Sequence, residues 1–266
     1  MVPFREVEVH HSKPWESEEG RNMARSRHRG KHPEDARLFG PRMLPRLRQA
    51  THDLSYLLGQ GYADTGALKL VGDHYQLTTR QRRAVLGAAC GDQARSRRRL
   101  REVKFADLAG RPIALDGYNV LIITESLLSG GVLLRGRDGC IRDLAGLHGS
   151  YRRVEETVPA LRLIGEVLDA AAPAAVSWYL DAPVSNSGRL AELIRDVATA
   201  PGRTWEVQVA RSVDQHLAAC DAVVATSDGW ILDRADAWVN LLAEIVARTN
   251  AAAQMIDLGT EDADNR

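Results

Sequence analysis

Three apolar runs that each close on an aspartate constrain this chain more than any other feature. Ile113-Ala-Leu115 leads into Asp116-Gly117, Ala175-Val-Ser-Trp-Tyr-Leu180 into Asp181-Ala-Pro183, and Ala222-Val-Val-Ala-Thr-Ser227 into Asp228-Gly229. A short apolar run ended by Gly or Pro reads as a buried strand and its turn. Helical patterns separate these runs: Leu121–Leu128, Tyr151–Ala171, a helix from Ser187 to about Val197, Val213–Cys220 and Ala237–Arg248. Trp205–Ala210 reads as a further strand, and Val132–Ile141 as a hairpin turning at Arg137-Asp138-Gly139. Strands alternating with helices predict an α/β fold, a parallel sheet flanked by helices. Ligands bind such sheets beyond the carboxyl ends of the strands. If the three strands are neighbours, Asp116, Asp181 and Asp228 meet at one edge. A lone Asp-Gly reads equally well as a hairpin turn; the recurrence favours the sheet.

Clustered carboxylates repel one another and call for a cation or raised pKa values. Oxygen ligands without Cys or His favour Mg2+ or Mn2+ over zinc. Asp214 follows Arg211-Ser212 at a helix start, where it reads as a cap or as a fourth acid. Asp221 reads as structural first and as a spare acid second. Glu125 faces either the cleft or solvent, and His148 and His216 read as surface or capping residues. Cys90, Cys140 and Cys220 are widely spaced and form no metal-ligand pattern.

A net charge of zero hides an asymmetry. Residues 41–104 hold 13 Lys/Arg against 5 Asp/Glu, and residues 105–266 hold 14 against 23. This divides the chain into a small basic helical domain, 41–104, and an acidic α/β domain, 105–255, expected to fold separately. The polar residues 1–40 read as a disordered tail, and 256–266 as a frayed C-terminus. The basic module either draws in a polyanion or simply attracts its acidic neighbour. Within it, Thr78 or Thr79 caps a helix whose first turn carries Arg80, Arg82 and Arg83. Arginines there oppose the helix dipole, which marks them as candidate nucleic-acid contacts. No apolar run approaches the ~20 residues that span a bilayer, and the amino terminus has no signal-peptide core. The expectation is a cytoplasmic protein with no membrane partner.

Leu115-Asp116-Gly-Tyr-Asn119-Val resembles the first motif of NYN-type members of the PIN-like nuclease superfamily. Val223-Val-Ala-Thr-Ser227-Asp228 resembles their last strand motif, and Ser212-Val-Asp214 the acidic helix start before it. Asp181 fills the place of their middle acid, although Asp181-Ala-Pro-Val-Ser-Asn-Ser-Gly188 departs from the usual pattern. The likeness runs over 112–235, with the hairpin as an insertion. The helical module resembles a domain of uncharacterised prokaryotic proteins of this kind.

The resemblance implies a PIN-like fold and a Mg2+- or Mn2+-dependent ribonuclease acting on RNA, with DNA as a second substrate and a homo-oligomer left open. Asp116, Asp181, Asp214 and Asp228 would be catalytic, with Asp116, Asp181 and Asp228 on the metal. Asn186-Ser187-Gly188-Arg189, read on its own residues, opens a helix first as a plain cap and second as a contact for substrate phosphate. In the ribonuclease reading Asn119 would orient Asp116 or touch a phosphate, and Ser227 would bond a ligand carboxylate. Two other readings stand beside it. One is a non-catalytic nucleic-acid- or protein-binding module of the same fold. The other is a phosphotransfer enzyme with Asp116 as nucleophile, which wants a second acid two residues on, where this chain has Tyr118.

Overall fold

The computed structural model describes residues 28–29, 32–145, 151–199, 202–249 and 253–260. The first part of the chain is helical: α1 (Asp35–Leu38), α2 (Leu44–Gly59), α3 (Asp64–His74), α4 (Thr79–Ala88) and α5 (Asp92–Arg101). Thr78 starts α4 with a capping box: its hydroxyl accepts from the Gln81 amide, and the Gln81 side chain accepts from the Thr78 amide. Leu47, Ala50 and Leu54 of α2 pack on Val71 of α3 and on Ala84, Val85 and Ala88 of α4.

The expected disordered tail is corrected over 32–40. Leu38 and Phe39 are buried in this core, and Asp35 accepts two hydrogen bonds from Arg80. Residues 1–27 lie outside the described residues, as does His148. Arg29 reaches the fully buried Glu125, which also accepts from Tyr151 and Thr157. Glu125 thus faces neither cleft nor solvent. The same contacts hold Tyr151 in irregular chain, so the helix read from Tyr151 begins only at Thr157.

The second part runs β1 (Pro112–Asp116), α6 (Gly117–Leu128), β2 (Val132–Arg135), β3 (Ile141–Asp143), α7 (Thr157–Ala171), β4 (Ala175–Asp181) and α8 (Ser187–Thr199). It continues through β5 (Trp205–Ala210), α9 (Val213–Ala219), β6 (Val223–Ala225), α10 (Gly229–Leu232), β7 (Trp238–Val239), α11 (Leu241–Ala247) and β8 (Gln254–Asp257). Five of these strands form a parallel sheet in the order β5-β4-β1-β6-β7. Side chains alternate across it. Ile113 and Leu115 face the core under α6, α7, α8 and α11, while Ala114, Tyr179 and Val224 face α9 and α10. The chain winds outward from β1 through β4 to β5, then returns to lay β6 on the other side of β1. That reversal, between β1 and β6, is where open α/β sheets leave a crevice.

β2 and β3 form the expected hairpin, and β8 joins β2 in parallel to give a three-stranded sheet. The frayed end is therefore corrected over 256–260, where Ile256 and Leu258 are buried; residues 261–266 lie outside the described set. This small sheet is shared. Val132, Leu134, Ile256 and Leu258 pack on the helical module, while Leu133 and Ile141 pack into the core of the large sheet. The composition boundary near 104 is not a boundary of the packing.

Candidate active site at the carboxyl edge of the parallel sheet

Register decides which acids share a face. Asp116 pairs with Tyr179 across β1 and β4, so Asp181 lies on the same face two residues farther out, about 7 Å along the strand. Ala114 and Tyr179 on that parity face α9 and α10, and α9 carries Asp214 in its first turn. Leu115 pairs with Ala225, which sets Thr226 beside Asp116. Gly117 lets α6 start hard against β4: a Cβ there would stand 2.7 Å from the Tyr179 carbonyl oxygen.

Asp116 is buried and held at both oxygens. Oδ2 accepts from the Thr226 hydroxyl at 2.8 Å, and Oδ1 from the Asn119 amide at 3.4 Å, capping α6. Burial pushes its carboxyl up to about 7; Asp228 and Asp214 push the same way, and the Thr226 hydrogen bond opposes them. Burial and the charge of Asp228 raise the Asp214 carboxyl. Burial and Asp214 raise that of Asp181. Asp116, Asp214 and Asp228 are thus brought to one edge, and Asp181 joins them through Asp214.

The finer expectations need correction. Asp228 does not end a strand: β6 stops at Ala225, and Asp228 caps α10 by accepting from the Trp230 and Ile231 amides at 2.7 and 3.1 Å. Among the described residues Asp214 makes no capping hydrogen bond, and Ser212, at φ 57°, starts α9 without one. Among the described residues no group of three or more His, Cys, Asp or Glu stands ready to hold a metal ion. Asp228 is turned to its helix, Asp116 to Thr226, and Asp181 lies farther out. The donor chemistry, all carboxylate oxygen, suits Mg2+ or Mn2+; the side-chain placement does not already form a cage.

Asn119 does not orient Asp116 through its side chain. Its Oδ1 accepts from the Ser227 amide and hydroxyl at 2.8 and 3.0 Å, so Asn119 and Ser227 clamp the loop that carries Asp228. The residue that fixes Asp116 is Thr226, hidden in the sequence as one more member of a strand-like run. Asn186 and Ser187 serve the loop after β4: Asn186 donates to the Tyr151 carbonyl, and the buried Ser187 hydroxyl bonds the Asp181 and Val184 carbonyls. His216 lies exposed on α9, its ring 4.5 Å from that of Tyr179.

Arginines from two other elements hold the Asp228 loop. Arg142 on β3 donates to the Ser227 carbonyl. Arg98 on α5 donates to the Gly229 carbonyl and to Asp233. Both also grip the buried Asp138 of the hairpin turn, and their charges hold its carboxyl below the usual range despite its burial. Of the candidate nucleic-acid contacts, Arg80 pairs with Asp35 and Arg82 with Asp73; Arg83 is exposed. A cleft of about 860 Å³ opens beside Asn119, Ser227 and Asp228, with Gly59, Gly91 and Arg97 of the helical module on its wall.

A family model described as "Domain of unknown function (DUF5616)" matches residues 105–244. The chain belongs to the DUF5616 family. In this DUF5616 chain a second model, "Protein of unknown function (DUF434)", matches residues 46–101 and covers most of the helical module. The uncharacterized protein MJ0935 of Methanocaldococcus jannaschii is 34% identical over 202 residues, 75% of this chain and 96% of that protein. The likeness spans both modules. No solved structure matches. Among the described residues no helix is long and apolar enough to cross a membrane.

Proposed function

We propose that this chain is a divalent-metal-dependent nuclease, with RNA as its first substrate class, hydrolysing phosphodiesters at the carboxyl edge of its parallel sheet. The observation that carries the reading is the convergence of Asp116, Asp181, Asp214 and Asp228 on one sheet edge beside the topological reversal, where the charges of Asp228 and Asp214 add to the burial that pushes Asp116 up to about 7. An edge that gathers like charges where one is buried gains most from a cation. Asp116, Asp181 and Asp228 would hold it, with Asp214 adjacent. A Mg2+ or Mn2+ ion there supplies a Lewis acid for the phosphate and lowers the pKa of a bound water.

The chain's own residues do the positioning. Thr226 fixes the Asp116 carboxylate, and Asn119, Arg98 and Arg142 fix the backbone around Asp228. The resemblance to NYN-type nucleases in the Asp116 and Asp228 motifs supports the same reading. One observation favours a non-catalytic module with this fold: the acids do not already form an ion cage. Incubating the protein with mixed RNA and DNA substrates, with Mn2+, Mg2+ or a chelator, separates the two. Cleavage that needs the metal and disappears in Asp116→Asn is the expected result. No cleavage of any substrate, and no shift of the melting temperature by either metal, would leave the binding module as the better account.

A further inference from the structure

The cleft beside Asp228 has an unusual lining. Two of its guanidinium groups, Arg97 on α5 and Arg234 just after α10, are exposed, and among the described residues neither forms an ion pair with a carboxylate. Its other two arginines, Arg98 and Arg142, are already matched by Asp138 and Asp233. Trp230 also lines the cleft, 43% exposed, two residues beyond Asp228. The Arg234 guanidinium lies 4.0 Å from the centre of the indole ring and donates to the Trp230 carbonyl. Three further carboxylates line the cleft: Asp64 is exposed, Asp143 accepts from the Ser126 hydroxyl and the Ala145 amide, and Asp228 belongs to the acidic edge.

An indole left partly open to water, with a guanidinium over its ring and a second exposed arginine on the same cleft, is good chemistry for an unpaired nucleotide. Bases stack on aromatic faces without sequence preference, arginines meet the phosphates, and a cation over the ring strengthens the platform. A duplex keeps its base faces stacked on one another and cannot offer them to Trp230. We propose that this cleft is a channel for single-stranded nucleic acid. Trp230 is its base-stacking platform, Arg97 and Arg234 meet the backbone, and the helical module forms its second wall. The proposal deepens the nuclease reading and rests on it for one point only, that the bound strand runs on from Trp230 to the acids. The helical module then has a role beyond packing: it contributes Arg97.

The test is fluorescence anisotropy of the full-length protein with a labelled single-stranded oligonucleotide and with the same sequence as a duplex, in chelator so that nothing is cut. The single strand should bind at least about tenfold tighter. Trp230→Ala should weaken it by about tenfold, the scale of one lost base stack, while Trp230→Phe keeps most of the affinity. Replacing Arg97 and Arg234 together by Ala should weaken binding and lower the slope of log affinity against log salt by about one to two. Thermal melts establish that each variant is folded. Equal or tighter binding of the duplex, an unchanged Trp230→Ala affinity, or binding of neither nucleic acid overturns the channel; the last result leaves the cleft to a protein partner. Wild-type cleavage with Mn2+ is measured separately. Binding without cleavage removes the nuclease and keeps the channel. Cleavage with no effect of Trp230→Ala keeps the nuclease and removes the channel.

Discussion

Asp116 is held almost out of water, with Thr226 on one oxygen and the Asn119 amide on the other. Its carboxyl titrates near 7, well above the ~4 of an unfolded aspartate. The folded state therefore binds this proton more tightly than the unfolded chain does. The stability it contributes is full below about pH 4 and is lost as pH rises through about 7. Asp116→Asn removes that dependence. Without metal the variant should melt higher than wild type at pH 8, by an amount on the order of 2–4 kcal/mol, and the gap should close as pH falls toward 4. Added Mg2+ or Mn2+ should stabilise wild type more than the variant. Melts across pH, with and without metal, read both effects; a pH-independent gap would mean that Asp116 is an ordinary carboxylate. Thr226→Val removes the hydrogen bond that lowers the Asp116 pKa, so the acid limb of any pH–rate profile should move to higher pH. Asp116 and Asp228 could be read from the chain because each closes an apolar run. Thr226 could not, because inside such a run a threonine looks like strand interior. Only the pairing of Leu115 with Ala225 puts it opposite Asp116.

Elements far apart in sequence converge on Asp138. Arg98 from α5 and Arg142 from β3 share it, and the same two guanidinium groups hold the Ser227 and Gly229 carbonyls on either side of Asp228. Removing its charge leaves the buried Arg142 without its carboxylate partner and Arg98 with Asp233 alone, a loss on the order of 3 kcal/mol. Asp138→Asn should therefore lower the melting temperature at pH 7. The depressed Asp138 carboxyl contributes stability above about pH 4 and loses it as pH falls, so the variant and wild type should converge at acid pH. If the Asp228 loop is then less well fixed, kcat should fall more than KM rises; a purely structural role would leave kcat of the surviving folded protein unchanged. The hairpin turn was legible from Arg137-Asp138-Gly139, but its partner lies 40 residues upstream. The two-residue strand β7 was hidden for a related reason. Trp238 sits in a stretch with helical spacing, yet it is fully buried beside β6, and its ring donates to the Arg98 carbonyl.

The charge split suggests two independent folding units, but the packing argues for one. The opposite charges of the two modules are spent partly on each other: Arg98 on Asp138 and Asp233, and Asp92 on Arg137. Apolar side chains of the small sheet close the helical core, and those on its other side close the core of the large sheet. Neither core is complete alone. This could not be read from the chain, because it depends on β8 returning to pair with β2, and no local pattern records a parallel pairing across so long a loop. Unfolding should then be a single cooperative event. Four of the five tryptophans, Trp178, Trp205, Trp230 and Trp238, report from the α/β part, and Trp15→Phe leaves these four alone, whereas the far-ultraviolet circular dichroism also samples α2 to α5. The two signals should give coincident transitions in heat and in denaturant. Leu134→Ala, at a side chain 1% exposed on the shared sheet, should destabilise both by the same 2–5 kcal/mol, roughly the range for a buried leucine. An early loss of helical signal with the tryptophans still in place would show instead that the helical module docks on a domain already stable without it, and the shared core would then be an interface.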